Sequence, residues 1–483
     1  MKSRWFITLF AAIPFTAALL VLQSCGGEGG PNGGGGGGGG FNVSEQFKAL
    51  WSDQQKAASY IGAEACANAA CHGGAPGEGG TIYEHWKDTK HANKGVDCER
   101  CHGPGSAHQA DPSAGNIVSL PNVSNPVVCA QCHGKTNDDW NFSQHSKLIV
   151  APVEEAYTNP GNYGRSSRCV ACHSGLFRIE NELGNDIGAM DDATIQNLAE
   201  ETQTKVPHIA TCATCHNPHS VTGNVNADGE EVQLRHKTFN EDTSVVAPGT
   251  TAGTFTNFDH ICAQCHNGRG ADGRDAKLQS STSRPNMHDS NQFNMLMGLG
   301  GADGGGPVLQ NTSHATAPGQ CSKCHMPDAR HTFTVSYDKG CAPCHTAADA
   351  AARVQSERDT VLSQLLALKS RMETWAQSTY GNDLFWEYTS TITAEGFTPP
   401  NQSGVPIQIK RARHNYYFVV RSGDYGVHNA PYVQHLMDVS NSWLDELNGN
   451  TAVKKLPKMT TEQMLKITEA DRARARKADL SAN

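Results

Sequence analysis

The clearest pattern of apolar positions lies in the last third of the chain. Apolar residues there recur at spacings of three, four and seven, which predicts an amphipathic helix over roughly residues 347–380. The residues that carry this stripe are Val354, Val361, Leu365, Leu368, Met372 and Trp375. A second helix is predicted over 407–422, and we interpret both as helices that pack on other helices.

A third helix is predicted after Asn429, because Asn is a favoured cap and Pro431 is tolerated in a first turn. The apolar residues of one of its faces are Val433, Leu436, Val439, Trp443 and Leu447. The residues after 450 are rich in Lys, Arg, Glu and Asp, and we expect a solvated helix or a disordered tail there.

The N-terminus combines the features of an export signal. Lys2 and Arg4 precede an apolar run that ends at Leu22, and small residues follow. Leu22-Gln23-Ser24-Cys25 resembles a bacterial lipobox, which implies that Cys25 is lipidated. The residue after Cys25 is Gly26 and not Asp, which by lipoprotein sorting patterns indicates the outer membrane, on the periplasmic or cell-surface face. An ordinary signal peptide with a free cysteine is the alternative. Residues 26–40 contain twelve glycines and predict a flexible tether.

The composition is poor in the material of an ordinary core. Hydrophobic residues make up 37% of the 483 residues and aromatic residues 7%. A net charge of −9 argues against a nucleic-acid partner, which would require a basic face. A bound apolar cofactor would supply the missing core.

Sixteen cysteines form eight pairs, and each pair is followed directly by a histidine. Seven pairs have the spacing Cys-x-x-Cys-His, whereas the first, from Cys66 to His72, has two additional residues. The spacing is typical of c-type haem attachment, in which two thioether bonds hold the macrocycle and the histidine ligates iron. The cysteines are Cys66/Cys71, Cys98/Cys101, Cys129/Cys132, Cys169/Cys172, Cys212/Cys215, Cys262/Cys265, Cys321/Cys324 and Cys341/Cys344, and the histidines are His72, His102, His133, His173, His216, His266, His325 and His345.

Zinc sites and disulfides are the alternatives for these cysteines. Zinc needs two Cys-x-x-Cys pairs for one metal and does not require a histidine after each pair. Disulfides fit an exported protein but do not explain the histidines. We therefore expect eight haem c groups, about one for every 35 residues between 66 and 345. Short helices at the attachment sites and irregular connections should link them.

A second histidine on each iron would make a six-coordinate electron carrier, whereas an open position would allow chemistry. Seven histidines stand in repeated or motif-linked contexts and are predicted as distal ligands: His91, His108, His145, His219, His314, His331 and His428. His85, His208, His236, His260, His414 and His435 have weaker contexts and receive no role.

The chain continues from His314 through the motif of Cys321, His331 and the motif of Cys341 to a long helix and Gly-Val-His428-Asn. This arrangement resembles the cytochrome c nitrite reductases. It is also similar to their octahaem relatives, which include the hydroxylamine oxidoreductases. The resemblance covers roughly 165–450. It implies a mainly α, haem-packed fold with little β-structure followed by long C-terminal helices, which often form a dimer interface.

The resemblance implies that the haem of Cys169, Cys172 and His173 occupies the catalytic position. The chain departs there from the nitrite reductase pattern, because it has His173 in place of Lys and Asn267-Gly268-Arg269 in place of the Tyr. His288 matches the pocket histidine, and either Arg165 or Arg168 matches the pocket arginine. If the fourth haem is open, His288, Asp289 and Arg165 are the expected catalytic residues.

Two functional hypotheses follow. The first is a lipid-anchored electron carrier at the outer membrane that exchanges electrons with other cytochromes and with extracellular acceptors. The second is an octahaem oxidoreductase acting on nitrite, hydroxylamine or another small oxyanion; a filament subunit is a third interpretation. The expected divisions are 1–24 (signal), 25–45 (lipidated cysteine and tether), 46–345 (haem domain), 346–450 (helical domain) and 451–483 (charged tail).

Overall fold

The computed structural model describes thirteen stretches of the chain. They are residues 42–74, 76–77, 80–147, 172–182, 209–238, 260–268, 272–279, 288–304, 312–342, 344–388, 396–398, 400–448 and 457–481. The predicted signal and tether up to residue 41, Cys25, Cys169, Arg165, Arg168 and His208 lie outside these residues.

The first two thirds of the described chain consist of helices of one or two turns. Side-chain caps start several of them: the Ser52 side chain accepts a hydrogen bond from Gln55 N, and the Asp97 side chain accepts one from Arg100 N. The helices are α1 Glu45–Lys48, α2 Asp53–Lys56, α3 Ala63–Cys66, α4 Ile82–Trp86, α5 Lys90–Asn93, α6 Cys98–His102, α7 Ser106–Ala110, α8 Pro126–Ala130, α9 Gly134–Phe142, α10 Gly175–Glu182, α11 Cys212–Cys215, α12 Asp275–Leu278, α13 Gln292–Met297, α14 Thr312–Ala315 and α15 Cys321–His325.

Extended structure is confined, among the described residues, to a small ribbon and isolated bridges. Strands β1 Pro76–Gly77 and β2 Gly80–Thr81 pair antiparallel, with Pro76 opposite Thr81. Short 3₁₀ helices occur at Ala114–Asn116, Asn122–Ser124, Gln144–Ser146, Cys262–Gln264, Pro327–Ala329, Asp383–Trp386 and Gln402–Gly404. The predicted mainly α class with little β-structure is confirmed.

Four long helices follow, three of which match the predictions from apolar spacing. They are α16 Ala347–Tyr380, α17 Ile407–Ser422, α18 Ala430–Asn448 and α19 Thr461–Ser481. The side chain of Thr346 caps α16, and Gly381 ends it with a φ of 71°. The predicted cap of α18 is confirmed, because Asn429 Oδ1 accepts a hydrogen bond from Tyr432 N at 3.1 Å.

The main hydrophobic core lies between these four helices. Leu362 and Leu365 of α16 pack with Phe418 of α17 and Leu436 of α18, all fully buried. Burying each such side chain contributes about 1.5–3 kcal/mol. The apolar faces that the resemblance assigned to a dimer interface are therefore used within the chain. None of the described helices is both long and apolar enough to cross a membrane.

The tail forms a helix, α19, which is one of the two predicted alternatives, but one face of this helix is buried and not solvated. Met464, Thr468, Asp471 and Ala475 follow at intervals of four, three and four, and all are buried. Asp471 accepts hydrogen bonds from Tyr416 Oη at 2.5 Å and Lys369 Nζ at 2.7 Å. Two of the four buried positions are polar, so the stripe escapes a search for apolar residues.

The predicted division at residue 345 does not separate two bodies. Residues 43–483 form one compact unit. Asn291 Nδ2, in the haem-motif region, donates to Phe418 O at 3.0 Å, and Gly301 N donates to Tyr432 Oη at 2.9 Å. The long helices thus support the loop that carries His288.

Candidate haem sites

Several of the described attachment cysteines stand on single helical turns. Helices α6, α11 and α15 each begin at the first cysteine of a motif, and a 3₁₀ turn begins at Cys262. Positions three apart on a helix lie on the same face, so both thiols point to one side. None of the described cysteines forms a disulfide.

Each motif histidine faces one second histidine. The distances between ring centres span 5.7 to 6.5 Å. The pairs are His72–His108, His91–His133, His102–His219, His145–His266, His173–His288, His216–His331, His314–His345 and His325–His428.

These separations fit two imidazoles that share one iron. A first-row metal lies about 2 Å from an imidazole nitrogen, so two rings on opposite sides have centres about 6 Å apart. All seven histidines predicted as distal ligands occur in these pairs, and His288 occurs in the eighth. The residues present therefore fit eight haem groups with two axial histidines each.

The partners are not the histidines nearest in sequence. His108 follows His102 by six residues but faces His72, and His331 follows His325 by six residues but faces His216. A ring in the turn after its own motif lies on the same side of the macrocycle and cannot reach the opposite face. Sequence spacing therefore identifies the second histidines but not their partners.

Burial keeps several of these rings neutral. Desolvation lowers the pKa of His145, His216 and His219 to about 4 each. Neutral imidazole is the form that binds a metal, so the rings are ready to act as ligands at neutral pH.

Hydrogen bonds to backbone carbonyls orient several of the rings, and for six of them the bonded ring atom is Nδ1. This leaves Nε2 for iron, as second-shell contacts commonly do. The bonds are His102 to Val118 O (2.7 Å), His108 to Ser113 O (3.0 Å), His216 to Val232 O (2.8 Å), His288 to Asp289 O (2.6 Å), His325 to Phe333 O (3.2 Å) and His331 to Ala329 O (2.9 Å).

Two of the paired histidines contact a carboxylate instead. His428 Nδ1 lies 2.5 Å from Asp424 Oδ2, and His345 Nδ1 lies 3.3 Å from Asp349 Oδ2. Because a carboxylate carries charge, these two rings have a different electrostatic environment from the six above.

The surroundings of His288 differ from the expected catalytic pocket. Its ring centre lies 5.7 Å from that of His173. The neighbouring Asp289 forms ion pairs with Arg472, at 3.1 Å, and with Arg476, both from α19. Burial opposes ionisation of Asp289, but the charges of Arg421, Arg472 and Arg476 hold its pKa below the usual value. An ion-paired carboxylate of this kind is a poor proton donor.

Histidines without a predicted role have structural contacts. His414 Nε2 donates to Gly300 O at 2.7 Å, and His85 Nδ1 lies 3.4 Å from Ser220 Oγ. His236 Nε2 lies 3.0 Å from Arg178 Nη2, and Cys262 N donates to His260 Nδ1 at 3.1 Å.

Contacts between cysteines show which motifs are neighbours in space. Cysteine side chains of different motifs interact between the first and the second motif, the third and the fifth, the fourth and the sixth, and the sixth and the seventh. The contacting thiols are Cys66 and Cys98, Cys129 and Cys212, Cys172 and Cys265, and Cys262 and Cys321.

Weaker interactions between cysteine thiols link the remaining neighbouring motifs. In three further pairs of cysteines, the pKa of one thiol is raised mainly by burial and next by the neighbouring thiol. Cys132 raises the pKa of Cys101, Cys265 raises that of Cys215, and Cys341 raises that of Cys324. The motifs therefore follow one another in the order one, two, three, five, six, seven and eight, with the fourth beside the sixth. Cys71, Cys132 and Cys344 are exposed, so the first, third and eighth motifs reach the surface.

No protein-family model matches the chain. Among curated proteins, it is 25% identical over 171 residues to the C-type polyheme cytochrome OmcC of Geobacter sulfurreducens, which covers 32% of this chain and 20% of the relative. It is 28% identical over 146 residues to the C-type polyheme cytochrome OmcB of the same organism, which covers 28% of this chain and 17% of OmcB. The chain thus spans about a fifth of the length of these relatives.

Two solved structures are similar in part. One is an undecaheme cytochrome from the S-layer of Carboxydothermus ferrireducens, with a TM-score of 0.44, 19% identity and coverage of 75% of this chain and 51% of that one. The other is the outer cell wall cytochrome OcwA, with a TM-score of 0.43, 18% identity and coverage of 72% and 70%. The sequence relatives and the motifs together support a multihaem c-type cytochrome with covalently bound haem.

Proposed function

We propose that this protein is an electron carrier with eight covalently attached haem c groups, all of them six-coordinate. The observation that carries the proposal is the pairing of each of the eight motif histidines with a second histidine at 5.7 to 6.5 Å. When bound, haem supplies a one-electron couple at each site. The chain supplies the ligands, orients them and holds neighbouring sites close together.

The fourth site distinguishes a carrier from an enzyme. An enzyme of the expected kind needs an open iron there and a proton donor beside it. The ring of His288 faces His173 at the shortest of the eight separations, and Asp289 is held by α19. Both observations favour the carrier.

The surface-exposed motifs are the proposed points of exchange with partners. The first and eighth motifs stand at the ends of the succession, and the third also reaches the surface. Electron transfer requires close approach, so we propose that other cytochromes or extracellular acceptors dock at these motifs. Export and lipidation of Cys25, followed by the glycine tether, would hold the protein at the outer membrane in this proposal.

Low-temperature EPR of the oxidised, purified protein tests the proposal. We expect only low-spin ferric signals, which nitrite and hydroxylamine leave unchanged. The variant His288→Ala is the positive control, because removal of one ligand should create a high-spin signal that responds to added ligand. A ligand-sensitive high-spin signal in the unmodified protein would instead favour the oxidoreductase.

The number of haems is tested separately. Thioether bonds survive denaturation, so the mass of the intact denatured protein should exceed that of its processed polypeptide by eight haems. Replacing Cys212 and Cys215 by Ala should remove one haem. A wild-type mass with fewer than eight would contradict the proposal.

A further inference from the structure

The seventh motif has an unusual second histidine. His428 lies in the loop between α17 and α18, and its ring faces His325 at 6.3 Å. Its Nδ1 lies 2.5 Å from Asp424 Oδ2, and its backbone N donates to the same oxygen at 3.3 Å. One carboxylate thus fixes both the ring and the backbone of this residue.

The loop is built to hold Asp424 inside the protein. Gly423 and Gly426 adopt φ values of 70° and 93°, which let the chain turn sharply on either side of it. Ser422 Oγ lies 2.6 Å from Asp424 Oδ1, and Gly426 N donates to that oxygen at 3.2 Å. The Asp424 side chain is only 6% exposed. Its charge therefore acts on His428 with little screening by water.

The contact of His345 with Asp349 is longer and more exposed to solvent than that of His428 with Asp424. Asp349 lies 3.3 Å from His345 Nδ1, and its side chain is 43% exposed. Arg353 Nε donates to the same oxygen of Asp349 at 2.8 Å. Solvent and Arg353 offset the charge of Asp349, so it provides a matched control for Asp424.

We propose that Asp424 is a positioning residue that lowers the reduction potential of the haem on Cys321 and Cys324; this inference rests on the proposed haem ligation. A carboxylate that accepts the Nδ1 proton makes the imidazole a stronger donor at Nε2. Stronger donation, together with a nearby negative charge, favours ferric over ferrous iron. The six rings whose Nδ1 bonds to a carbonyl have a neutral acceptor in place of a charged one, so the effect on them is weaker.

The position of the seventh motif gives the effect a consequence. Cys321 contacts the sixth motif, and Cys324 interacts with the eighth. A lowered potential at this position makes it a less favourable place for an electron than the same site without Asp424, on the route between those two motifs. The ring of His314, which faces the eighth motif, also bonds to the backbone of His428. One loop therefore supports the second ligands of the last two sites.

A redox titration of the holoprotein, followed by EPR, tests the inference. In Asp424→Asn, the midpoint potential of one of the eight haem transitions should rise by about 59 mV. For a one-electron couple this corresponds to about a tenfold change in the oxidised-to-reduced ratio. The low-spin signal of that haem should change with it. In Asp349→Asn, the same ratio should change less than threefold for the haem of His345. In Asp424→Glu, the midpoint potential should stay close to that of the wild type.

Three results would overturn the inference: no shift in Asp424→Asn, an equal shift in Asp349→Asn, or a uniform shift of all eight transitions. If Asp424→Asn fails to bind eight haems, Asp424→Ser replaces it, with the same expected rise. Haem mass and EPR of the wild-type protein are measured first. An abnormal wild type counts against the haem ligation itself, whereas a normal wild type with an unshifted variant counts against the role of Asp424 alone.

Discussion

The described parts of residues 46–345 and of residues 346–481 are stabilised in different ways. The C-terminal helices bury a large cluster that includes Leu362, Phe418 and Leu436. The earlier region has short helices and small clusters, such as that of Phe47, Val118 and Val128. A side-chain core can form from the chain alone, whereas closely spaced ligand pairs need a metal between them to offset the entropy of ordering.

The largest expected effect is that of producing the protein without haem. We expect the full chain, produced in cells that cannot attach haem, to lose the structure of residues 46–345 and to retain α16 to α18. Hydrogen exchange followed by mass spectrometry should show fast exchange in the first region and slow exchange at the centres of α16 and α17. Equal protection in both regions would mean that the haem region folds without its cofactors.

The next prediction concerns the core of the long helices. Arg413 Nη2 lies 2.8 Å from Glu387 Oε2, and both side chains are buried. Arg413→Met leaves the buried Glu387 carboxylate without its guanidinium, although Tyr417 Oη still donates to it, and should cost about 3–5 kcal/mol of unfolding free energy. Denaturation measured by circular dichroism tests this, and the low-spin haem spectrum should not change.

Arg411→Met is the matched control, because its partner Asp275 is 43% exposed. It should cost less than about 1 kcal/mol. Similar losses for the two variants would show that burial of the pair does not determine its contribution.

The pH dependence of this core is the third prediction. Burial lowers the pKa of His414 to about 4, and Asp272 and Arg413 are the charged groups that act on it. Between pH 6.5 and 4, the unfolded chain binds a proton that the folded chain does not, so stability falls as pH falls through this range. His414→Gln should flatten this part of the profile, as measured by denaturation at each pH. An unchanged slope would assign the pH dependence to other groups.

The smallest effect is expected at the surface of the haem region. Arg330 Nε lies 2.5 Å from Asp139 Oδ2, but the arginine is 48% exposed. Arg330→Ala should cost less than about 1 kcal/mol, because solvent screens such a pair. Thermal unfolding of the holoprotein measures it. A larger loss would mean that side-chain contacts, and not only haem ligation, stabilise this region.

Local spacing explains what could be predicted. The attachment motifs, the seven distal candidates and helices α16 to α18 each depend on residues within a few turns of one another. The packing of α19 was missed because Thr468 and Asp471 occupy its buried face. The Asp424 carboxylate beside His428 was also missed, since a separation of four residues within a loop gives no periodic signal.

The sequence by itself determined the helical class, the motifs for eight haems and which histidines are available as second ligands, because these depend on short-range spacing. Only the tertiary structure decided that His108 faces His72, that His288 faces His173 and that the fourth motif lies beside the sixth. The physical reason is that the two rings of a proposed ligand pair must face each other with room for one metal between them. Those rings come from different parts of the chain, and only the folded chain brings them together.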